Sequence, residues 1–259
     1  MSGPVRVERD GPLAVVTLEA PPVNLWNEDV IAGYEAAVAE LEADPPRAAL
    51  FRAEGRVVSG GVDVNLFAQI PDGQAGGELW TRLLQLPQRL EALPYPTVFA
   101  AHALCLTASF ELSLACDLLL AAEGARFGLV ERVVGLTPSM GGPQRLVERA
   151  GPARARELVY TGALYDAATL ERWNVVNRVL PDEGFDDAVR AFCADLANGP
   201  TVAHAATKRL VRETLEGGVR AADAAVPEVA GALFDTEDLK GAVRSFLEQG
   251  PGKATYEGR

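Results

Sequence analysis

The feature that most constrains the fold is a long apolar run from Pro96 to Ala122, in which His102, Glu111 and Asp117 are the only acidic or basic side chains. Such a run is long enough to span a bilayer. A proline at its start and acids at its middle and near its end argue against a membrane span. We therefore expect a buried strand–helix–strand unit, with strands at Thr97–Ala101 and Asp117–Ala122 and an apolar segment at 107–115.

Strand and helix patterns alternate on the N-terminal side of this run. Asp10-Gly11 separates two apolar segments and indicates a β-hairpin. Asn27 is a good N-cap for a helix with one apolar face, and Asp44-Pro45-Pro46 would end that helix. This alternation predicts an α/β layered fold. The expected elements are strands at Val5–Arg9, Leu13–Leu18 and Ala48–Arg52, and helices from Asn27 and over 74–93.

The chain beyond about residue 143 is expected to be mostly helical. Pro152 suits the start of a helix, Gly162 suits the turn after it, and Asp166 suits the cap of the next helix. Val175–Leu180 is predicted to be the last strand, and residues 184–249 to be almost wholly helical. We divide the chain into an α/β core at 1–198 and a helical C-terminal region at 199–259.

Charge and cysteine usage disfavour several classes of function. A net charge of −12 and a pI of about 4.7 argue against nucleic acid and against insertion into, or binding to, membranes. Cys105, Cys116 and Cys193 lack CxxC spacing, so we expect reduced thiols in a cytoplasmic protein. The N-terminus carries charges where a signal peptide needs an apolar core. The histidines and cysteines show no metal-ligand spacing, and we predict no metal.

Glu111 and Glu131 are acids in apolar surroundings. An isolated buried carboxylate is costly, so each must be hydrogen-bonded, paired, protonated or exposed to a cleft. One interpretation is a structural salt bridge with an arginine elsewhere in the chain. The other is a pair of cleft carboxylates with raised pKa values, which would suit general acid–base catalysis. The spacing of the two residues does not decide between these interpretations.

The loop Ser59-Gly60-Gly61-Val62-Asp63 is a candidate ligand-binding loop. Small residues let backbone N–H groups come close to an oxyanion or a phosphate. A plain tight turn is the alternative interpretation. Asp63 is expected to organise the loop rather than to take part in chemistry.

Five ordered segments of the chain resemble motifs of the crotonase superfamily, also called the enoyl-CoA hydratase/isomerase family. They cover nearly the whole chain. The segments and the family patterns are PPVNLWN for PPxNAL[NS], VVSGGVD for F-S-A-G-x-D, HALCLTASFELSLACD for N-G-x-A-x-G-G-G-x-E-L-x-L-x-C-D, ARFGLVERVVGLTPSMGGPQRL for A-x-F-G-x-P-E-x-x-x-G-x-x-P-G-x-G-G-T-Q-R-L, and SFLEQGPGKATYEGR for F-x-E-K-R-x-P-x-F-x-G-R.

The resemblance implies a crotonase-like α/β fold, a spiral of repeated ββα units followed by a C-terminal helical trimerisation region. A homotrimer or a dimer of trimers is therefore expected. The partner would be an acyl-CoA substrate, with coenzyme A as part of that substrate and no other cofactor.

The resemblance also implies roles for individual residues. Backbone N–H groups of Val62 and Ala108 would form an oxyanion hole, and losing one such donor typically costs about 3 kcal/mol. Glu111 would mainly activate water and Glu131 would mainly protonate the α-carbon, although a coupled pair shares its protons. The remaining substrate-binding candidates are Leu25 near the adenine end of CoA, the loop residues Ser59, Gly60, Gly61 and Asp63, and Lys253 in the tail.

The chain departs from the family patterns around the expected oxyanion hole. Thr107-Ala108-Ser109 replaces a run of three glycines, so three Cβ atoms enter a loop that usually has none. Val62 is bulkier than the usual alanine or glycine. The other differences are Val58 for phenylalanine, Val130 for proline and Met140 for alanine. We expect these changes to reshape the acyl pocket.

The function that this resemblance favours is an enoyl-CoA hydratase, a lyase that adds water across the α,β double bond of the thioester. An enoyl-CoA isomerase is the nearest alternative, and it is disfavoured because isomerases of the family commonly work with one acid. An acyl-CoA enzyme that forms or breaks C–C bonds stays open, since one fold hosts many chemistries. A catalytically silent CoA-binding or assembly subunit is the alternative from another class.

Overall fold

The computed structural model describes residues 3–259 of the chain. The strands are β1 Val5–Asp10, β2 Leu13–Leu18, β3 Ala48–Ala53, β4 Thr97–Ala101, β5 Cys105–Leu106, β6 Leu118–Ala122, β7 Arg126–Gly128, β8 Tyr165–Asp166 and β9 Arg178–Leu180. The α-helices are α1 Glu28–Ala43, α2 Asn65–Ala68, α3 Gly73–Ala92, α4 Thr107–Ala115, α5 Gly142–Thr161, α6 Ala167–Arg172, α7 Phe185–Ala197, α8 Thr201–Gly217, α9 Val219–Gly231 and α10 Glu237–Gln249. Glu131–Val134 and Ala232–Asp235 form 3₁₀ helices.

The larger sheet has six strands in the order β1-β2-β3-β4-β6-β9. β1 and β2 form the predicted antiparallel hairpin, and the other neighbours are parallel. Val16, Phe51 and Phe99 lie side by side in the register and belong to one core. Leu50 belongs to a second core, which contains Val189 of α7. Both faces of the sheet are therefore covered, as a parallel sheet requires.

The smaller sheet brings two distant segments of the chain together. It has three short strands in the order β5-β7-β8, and Leu106 of β5 pairs with Gly128 of β7. Leu106 directly precedes α4, and Gly128 lies shortly before the 3₁₀ helix that begins at Glu131. This pairing therefore positions the segment that carries Glu111 next to the segment that carries Glu131.

The apolar run from Pro96 to Ala122 forms β4, β5, α4 and β6, which confirms the predicted buried unit. Every residue of α4 is buried, and Glu111 is the only charged residue in that helix. Within residues 3–259, no helix combines the length and the apolar character that a membrane crossing needs.

Two predictions for the second half of the chain are corrected in detail. The last strand starts at Arg178 rather than at Val175, because the N–H groups of Val175 and Val176 donate to the carbonyl of Leu170 (2.9 and 3.2 Å). The helix expected from Pro152 is the second half of α5, which bends at Gly151 (φ 79°, ψ 166°).

Helices α8, α9 and α10 and a 3₁₀ helix cover most of residues 201–249, as predicted for the C-terminal region, whereas residues 250–259 are not helical. α8 packs against α9. Arg47, at the start of β3, ties this region to the sheet. Its guanidinium donates to the carbonyls of Gly199 (2.6 Å) and Tyr256 (2.9 Å) and to Thr201 Oγ1 (2.9 Å). The division of the chain at residue 198 stays a prediction.

Candidate active site

A cleft beside the start of α4 contains both carboxylates and both expected oxyanion donors. Among residues 3–259, Glu111 and Glu131 are the only charged residues that line it, and Val62 and Ala108 line it as well. Its apolar wall consists of Trp26, Ile31, Leu66, Phe67, Leu79, Trp80, Leu83, Leu136 and Met140.

Glu111 is held by the backbone at the start of α5. Its Oε1 accepts hydrogen bonds from the N–H groups of Met140 (2.9 Å) and Gly142 (2.8 Å). A Cβ atom on Gly142 would lie 2.9 Å from Cγ and Oε1 of Glu111, so glycine is needed there for this close approach. Burial raises the pKa of Glu111 to about 7, although the two backbone N–H groups act in the opposite direction.

The salt-bridge interpretation does not hold for Glu111. The charge of Arg145 lowers the pKa of Glu111, but the Arg145 guanidinium is directed to Glu91 and donates from Nε to Glu91 Oε1 at 2.6 Å. Among residues 3–259, no basic side chain forms an ion pair with Glu111 or Glu131. The two acids are thus cleft carboxylates, which is the other interpretation of their sequence context.

Glu131 lacks the support that Glu111 receives. Both of its carboxylate oxygens are buried, and neither has a hydrogen-bond partner in the described part of the chain. Burial, followed by the negative charge of Glu111, raises the pKa of Glu131 to about 8. The charge effect requires the two carboxyl groups to be near each other. Near neutral pH such a pair holds one proton, and the surroundings favour it on Glu131.

Val62 is one of the two expected oxyanion donors. Trp26 and Val62 form a short parallel β-bridge. In this bridge Trp26 N donates to Gly61 O and Asp63 N donates to Trp26 O, both at 2.9 Å, so the bonded groups belong to the residues on either side of Val62. No acceptor within residues 3–259 pairs with the N–H of Val62 itself. The residue lines the cleft and can therefore donate to a ligand there.

Ala108, the second expected donor, lies in the first turn of α4. N–H groups of a first helical turn have no partner within the helix, and the positive end of the helix dipole lies beside them. Ala108 lines the cleft, whereas Thr107 and Ser109 are not part of its wall. Two of the three added Cβ atoms thus lie outside the cleft.

Thr107 and Gly61 bring the two donor segments close together. Thr107 has a left-handed backbone (φ 48°), and Gly61 has φ 110°. A Cβ atom on Gly61 would lie 3.2 Å from Thr107 Oγ1, so the threonine side chain packs into the space that glycine leaves. The contact between the two segments therefore requires glycine at position 61.

The other predicted loop residues shape the loop and do not line the cleft. Ser59 Oγ donates to Asn24 O (2.8 Å) and accepts from Gly61 N (3.0 Å). Asp63 Oδ1 accepts from the backbone and side-chain nitrogens of Asn65 (3.0 and 2.8 Å), which fits its expected organising role. Gly60 N donates to Val23 O (2.8 Å).

The two remaining candidates lie on the surface. Leu25 is 37% exposed beside the loop, and Lys253 is exposed in the C-terminal tail. Within one chain the structure does not bring Lys253 to the lining of the cleft. The contribution of these residues to CoA binding stays a prediction.

Sequence reasoning missed the aromatic wall of the cleft. Phe67 and Trp80 lie with ring centroids 5.7 Å apart, and both line the cavity. Trp26 is buried and also forms part of the wall. The helical spacing of Leu79 and Leu83 in α3 was a signal that this face of the helix covers an apolar surface.

Comparisons with known proteins find relatives that match nearly the whole chain. A sequence profile described as enoyl-CoA hydratase/isomerase matches residues 8–259. The short-chain-enoyl-CoA hydratase of Clostridium acetobutylicum is 28% identical over 250 residues, which cover 95% of this chain and 95% of that protein. The carnitinyl-CoA dehydratase of Salmonella enteritidis is 30% identical over 257 residues, 96% of this chain and 97% of that protein. An enoyl-CoA hydratase subunit I structure from Geobacillus kaustophilus has a TM-score of 0.90 at 28% identity, covering 99% of this chain and 98% of that one.

Proposed function

Since the chain belongs to the enoyl-CoA hydratase/isomerase family, we propose that it adds water across the α,β double bond of an enoyl-CoA thioester. The observation that carries the proposal is the arrangement of Glu111 and Glu131 in one apolar cleft, beside the backbone N–H groups of Val62 and Ala108. Two acids and an oxyanion site are the groups that such a hydration requires.

Glu111 is the group that we assign mainly to water activation. The N–H groups of Met140 and Gly142 favour its carboxylate form, and that form accepts a proton from a water molecule in the cleft. The water oxygen then bonds to the β-carbon, and the electrons of the double bond move towards the thioester carbonyl.

Val62 and Ala108 hold the negative charge that develops on the thioester oxygen. Their N–H groups are in place before the reaction, so they need no reorganisation as the enolate forms. The start of α4 adds the positive end of its dipole at Ala108.

Glu131 is the group that we assign mainly to protonation of the α-carbon. Its raised pKa keeps it neutral near pH 7, so it has a proton to donate as the enolate collapses. The proton that Glu111 takes from water replaces the one that Glu131 gives, because the two acids share their protons. The net change is one hydroxyl on the β-carbon and one proton on the α-carbon.

The acyl group that fits the cleft is apolar. Trp26, Phe67 and Trp80 supply aromatic surface, and Leu79 and Leu83 supply aliphatic surface. Because Glu111 and Glu131 are the only charged groups of the wall, an acyl chain with its own charge would be disfavoured there. We expect aliphatic or aryl enoyl thioesters as substrates.

The proposed assembly is a homotrimer or a dimer of trimers in the cytoplasm. Exposed apolar side chains of the C-terminal helices, among them Leu215, Val219, Phe246 and Leu247, support association through this region. Cys105, Cys116 and Cys193 are unpaired and buried, which agrees with a reducing compartment.

The decisive experiment mixes purified protein with crotonyl-CoA and with longer and aryl enoyl-CoAs. We expect loss of the absorbance of the conjugated thioester, with 3-hydroxyacyl-CoA as the product. A product with a shifted double bond would favour the isomerase instead. Binding of acyl-CoA without turnover of any substrate would favour a silent subunit and contradict the proposal.

A further inference from the structure

The two oxyanion donors come from segments far apart in the sequence, and Trp26 contacts both segments. Its backbone N–H and carbonyl pair with Gly61 and Asp63, on either side of Val62 (both 2.9 Å). Its indole Nε1 donates to Ser109 Oγ at 2.7 Å. Ser109 follows Ala108 directly in α4. One residue therefore connects the Val62 donor with the Ala108 donor.

Both partners of this hydrogen bond depart from the family patterns quoted above. The pattern has leucine at the position of Trp26 and glycine at the position of Ser109. A buried indole N–H needs an acceptor. Trp26 is 1% exposed and Ser109 is 0% exposed, so water does not supply one. Glycine at position 109 would leave the indole without its partner, and the two departures therefore depend on each other.

Trp26 is a rigid connection. Its indole ring stacks on Tyr34, with centroids 4.8 Å apart and an angle of 13° between the planes. Tyr34 is itself buried in α1. The ring, the backbone and the indole N–H of Trp26 all make contacts. Trp26 therefore fixes the position of the 59–63 loop relative to the first turn of α4.

We propose that Trp26 and Ser109 form a positioning pair that sets the separation of the Val62 and Ala108 N–H groups. The pair takes the role of the close backbone packing that a run of glycines allows. The inference rests on the proposed hydratase function, because it concerns the oxyanion hole of that reaction. Neither side chain donates to the substrate; both act through the backbone donors.

The test is a double-mutant cycle of Trp26→Phe, Ser109→Ala and the double variant. We expect each single change to lower kcat about tenfold, less than the roughly 10²–10³-fold loss of a whole donor, with KM changed much less. The double variant should be no slower than the worse single variant, because one interaction is removed in each case. The matched control is Ser113→Ala, which removes a hydroxyl equally buried in α4 that donates only to Phe110 O (2.7 Å).

A spectroscopic readout separates positioning from a general loss of structure. The absorbance of a bound para-dimethylamino-substituted aryl enoyl-CoA shifts to longer wavelength when its thioester carbonyl is polarised. We expect a smaller shift in Trp26→Phe and Ser109→Ala than in the wild type and Ser113→Ala. If Ser109→Ala does not fold, Trp26→Phe is measured alone, because phenylalanine keeps an apolar ring at this position and removes only the indole N–H and part of the ring.

The outcomes distinguish this inference from the proposed function. Wild-type protein that neither hydrates enoyl-CoA nor shifts the probe would contradict the proposed function itself. Active wild-type protein, with variants that keep the full shift and kcat or whose effects simply add, would overturn the positioning pair alone.

Discussion

Glu111 and Glu131 are the same residue type in the same cleft, but their surroundings give them different protonation states. Two backbone N–H groups stabilise the anion of Glu111, whereas both oxygens of Glu131 lack a partner within residues 3–259. The pKa values of about 7 for Glu111 and about 8 for Glu131 follow this difference. The assignment of base and acid therefore has a structural origin at the level of single hydrogen bonds.

Glu111→Gln and Glu131→Gln should each lower kcat by about 10²–10⁴-fold, the usual contribution of a general acid or base. KM should change far less, because glutamine keeps the size and polarity of the side chain. Steady-state kinetics with the best enoyl-CoA substrate measure both constants. Glu123→Gln, at an exposed position, is the control. Wild-type kcat in either cleft variant would refute the assigned roles.

The activity should have a bell-shaped dependence on pH. Protonation of Glu111 removes the base below its pKa of about 7, and ionisation of Glu131 removes the acid above its pKa of about 8. Both limbs belong to the coupled pair rather than to one residue. The measurement is kcat/KM between pH 5 and 10. A flat profile across neutral pH would contradict a shared proton in the cleft.

Glu131 should also make the folded state less stable as pH rises. Its pKa is about 8 in the folded protein and 4.5 in its ordinary state, so over this interval the folded state holds a proton that the unfolded state has released. The free energy of unfolding therefore falls as pH increases through this window. Denaturant titrations at several pH values measure this free energy of unfolding. It should fall less steeply with pH in Glu131→Gln than in the wild type. If the free energy of unfolding depended equally on pH in both proteins, the proton held by the folded state would not be on Glu131.

Residue-scale features divide into those that sequence could predict and those that it could not. The pattern around Glu111 and Glu131 did not decide between a salt bridge and a cleft pair, and only the resemblance to family motifs pointed to the pair. The bond from Trp26 to Ser109 joins residues that are 83 positions apart. No local sequence pattern predicts such a contact, because it depends on how the 59–63 loop and α4 pack against each other.

Among the elements, α4 and α5 together hold the base. Glu111 lies in α4, a helix whose residues are all buried. Gly142, at the start of α5, donates its backbone N–H to the Glu111 carboxylate. Arg149 of α5 closes the other end of α4 by donating to the carbonyls of Leu114 (3.2 Å) and Cys116 (2.7 Å). The position of the carboxylate thus depends on the fit between two helices.

Gly142→Ala should disturb this fit. The added Cβ would meet the Glu111 side chain at 2.9 Å, so the carboxylate or the start of α5 must shift. We expect a loss of kcat of about tenfold or more, together with lower stability. The matched control is Gly77→Ala in α3, where a Cβ would have open space and should stabilise the helix by about 0.5–1 kcal/mol. Unchanged kcat in Gly142→Ala would contradict the need for close contact.

Long elements were predictable and short ones were not. The hairpin, the helix capped by Asn27 and the buried strands before and after α4 follow from periodicity and capping. β5, β7 and β8 have only two or three residues each, too few to show a period. They form through tertiary pairing, yet they bring the segments that carry Glu111 and Glu131 together.

At the scale of the whole molecule, apolar exposure is concentrated in the C-terminal helices. Leu215 is 58% exposed, Phe246 60% and Leu247 79%, and the region is held to the core by Arg47. A helical region with so much exposed apolar surface is typical of an assembly interface. The fold class itself was predictable from strand–helix alternation, but the size of the assembly depends on contacts between chains.

Sedimentation of the purified protein should give a mass that is three or six times that of the 27.5 kDa chain. Phe246→Glu with Leu247→Glu should shift the protein towards the monomer, because charges would be buried in the interface. Val133→Glu changes an equally exposed apolar residue outside this region and serves as the control. A monomer at micromolar concentration in the wild type would contradict the expected trimer.

The two acids also differ in how freely evolution could exchange them. Glu111 lies in a helix whose every residue is buried, so any replacement there must fit a closed interior. Glu131 begins a 3₁₀ helix with no buried residue, fastened by Arg132 to the carbonyls of Tyr160 and Thr161 (2.8 and 2.9 Å). A substitution at position 131 would change the number of protons that the cleft can bind and release, while the rest of the fold stayed intact. A single substitution at position 131 is therefore an easier route to a new reaction on this scaffold than a substitution at position 111.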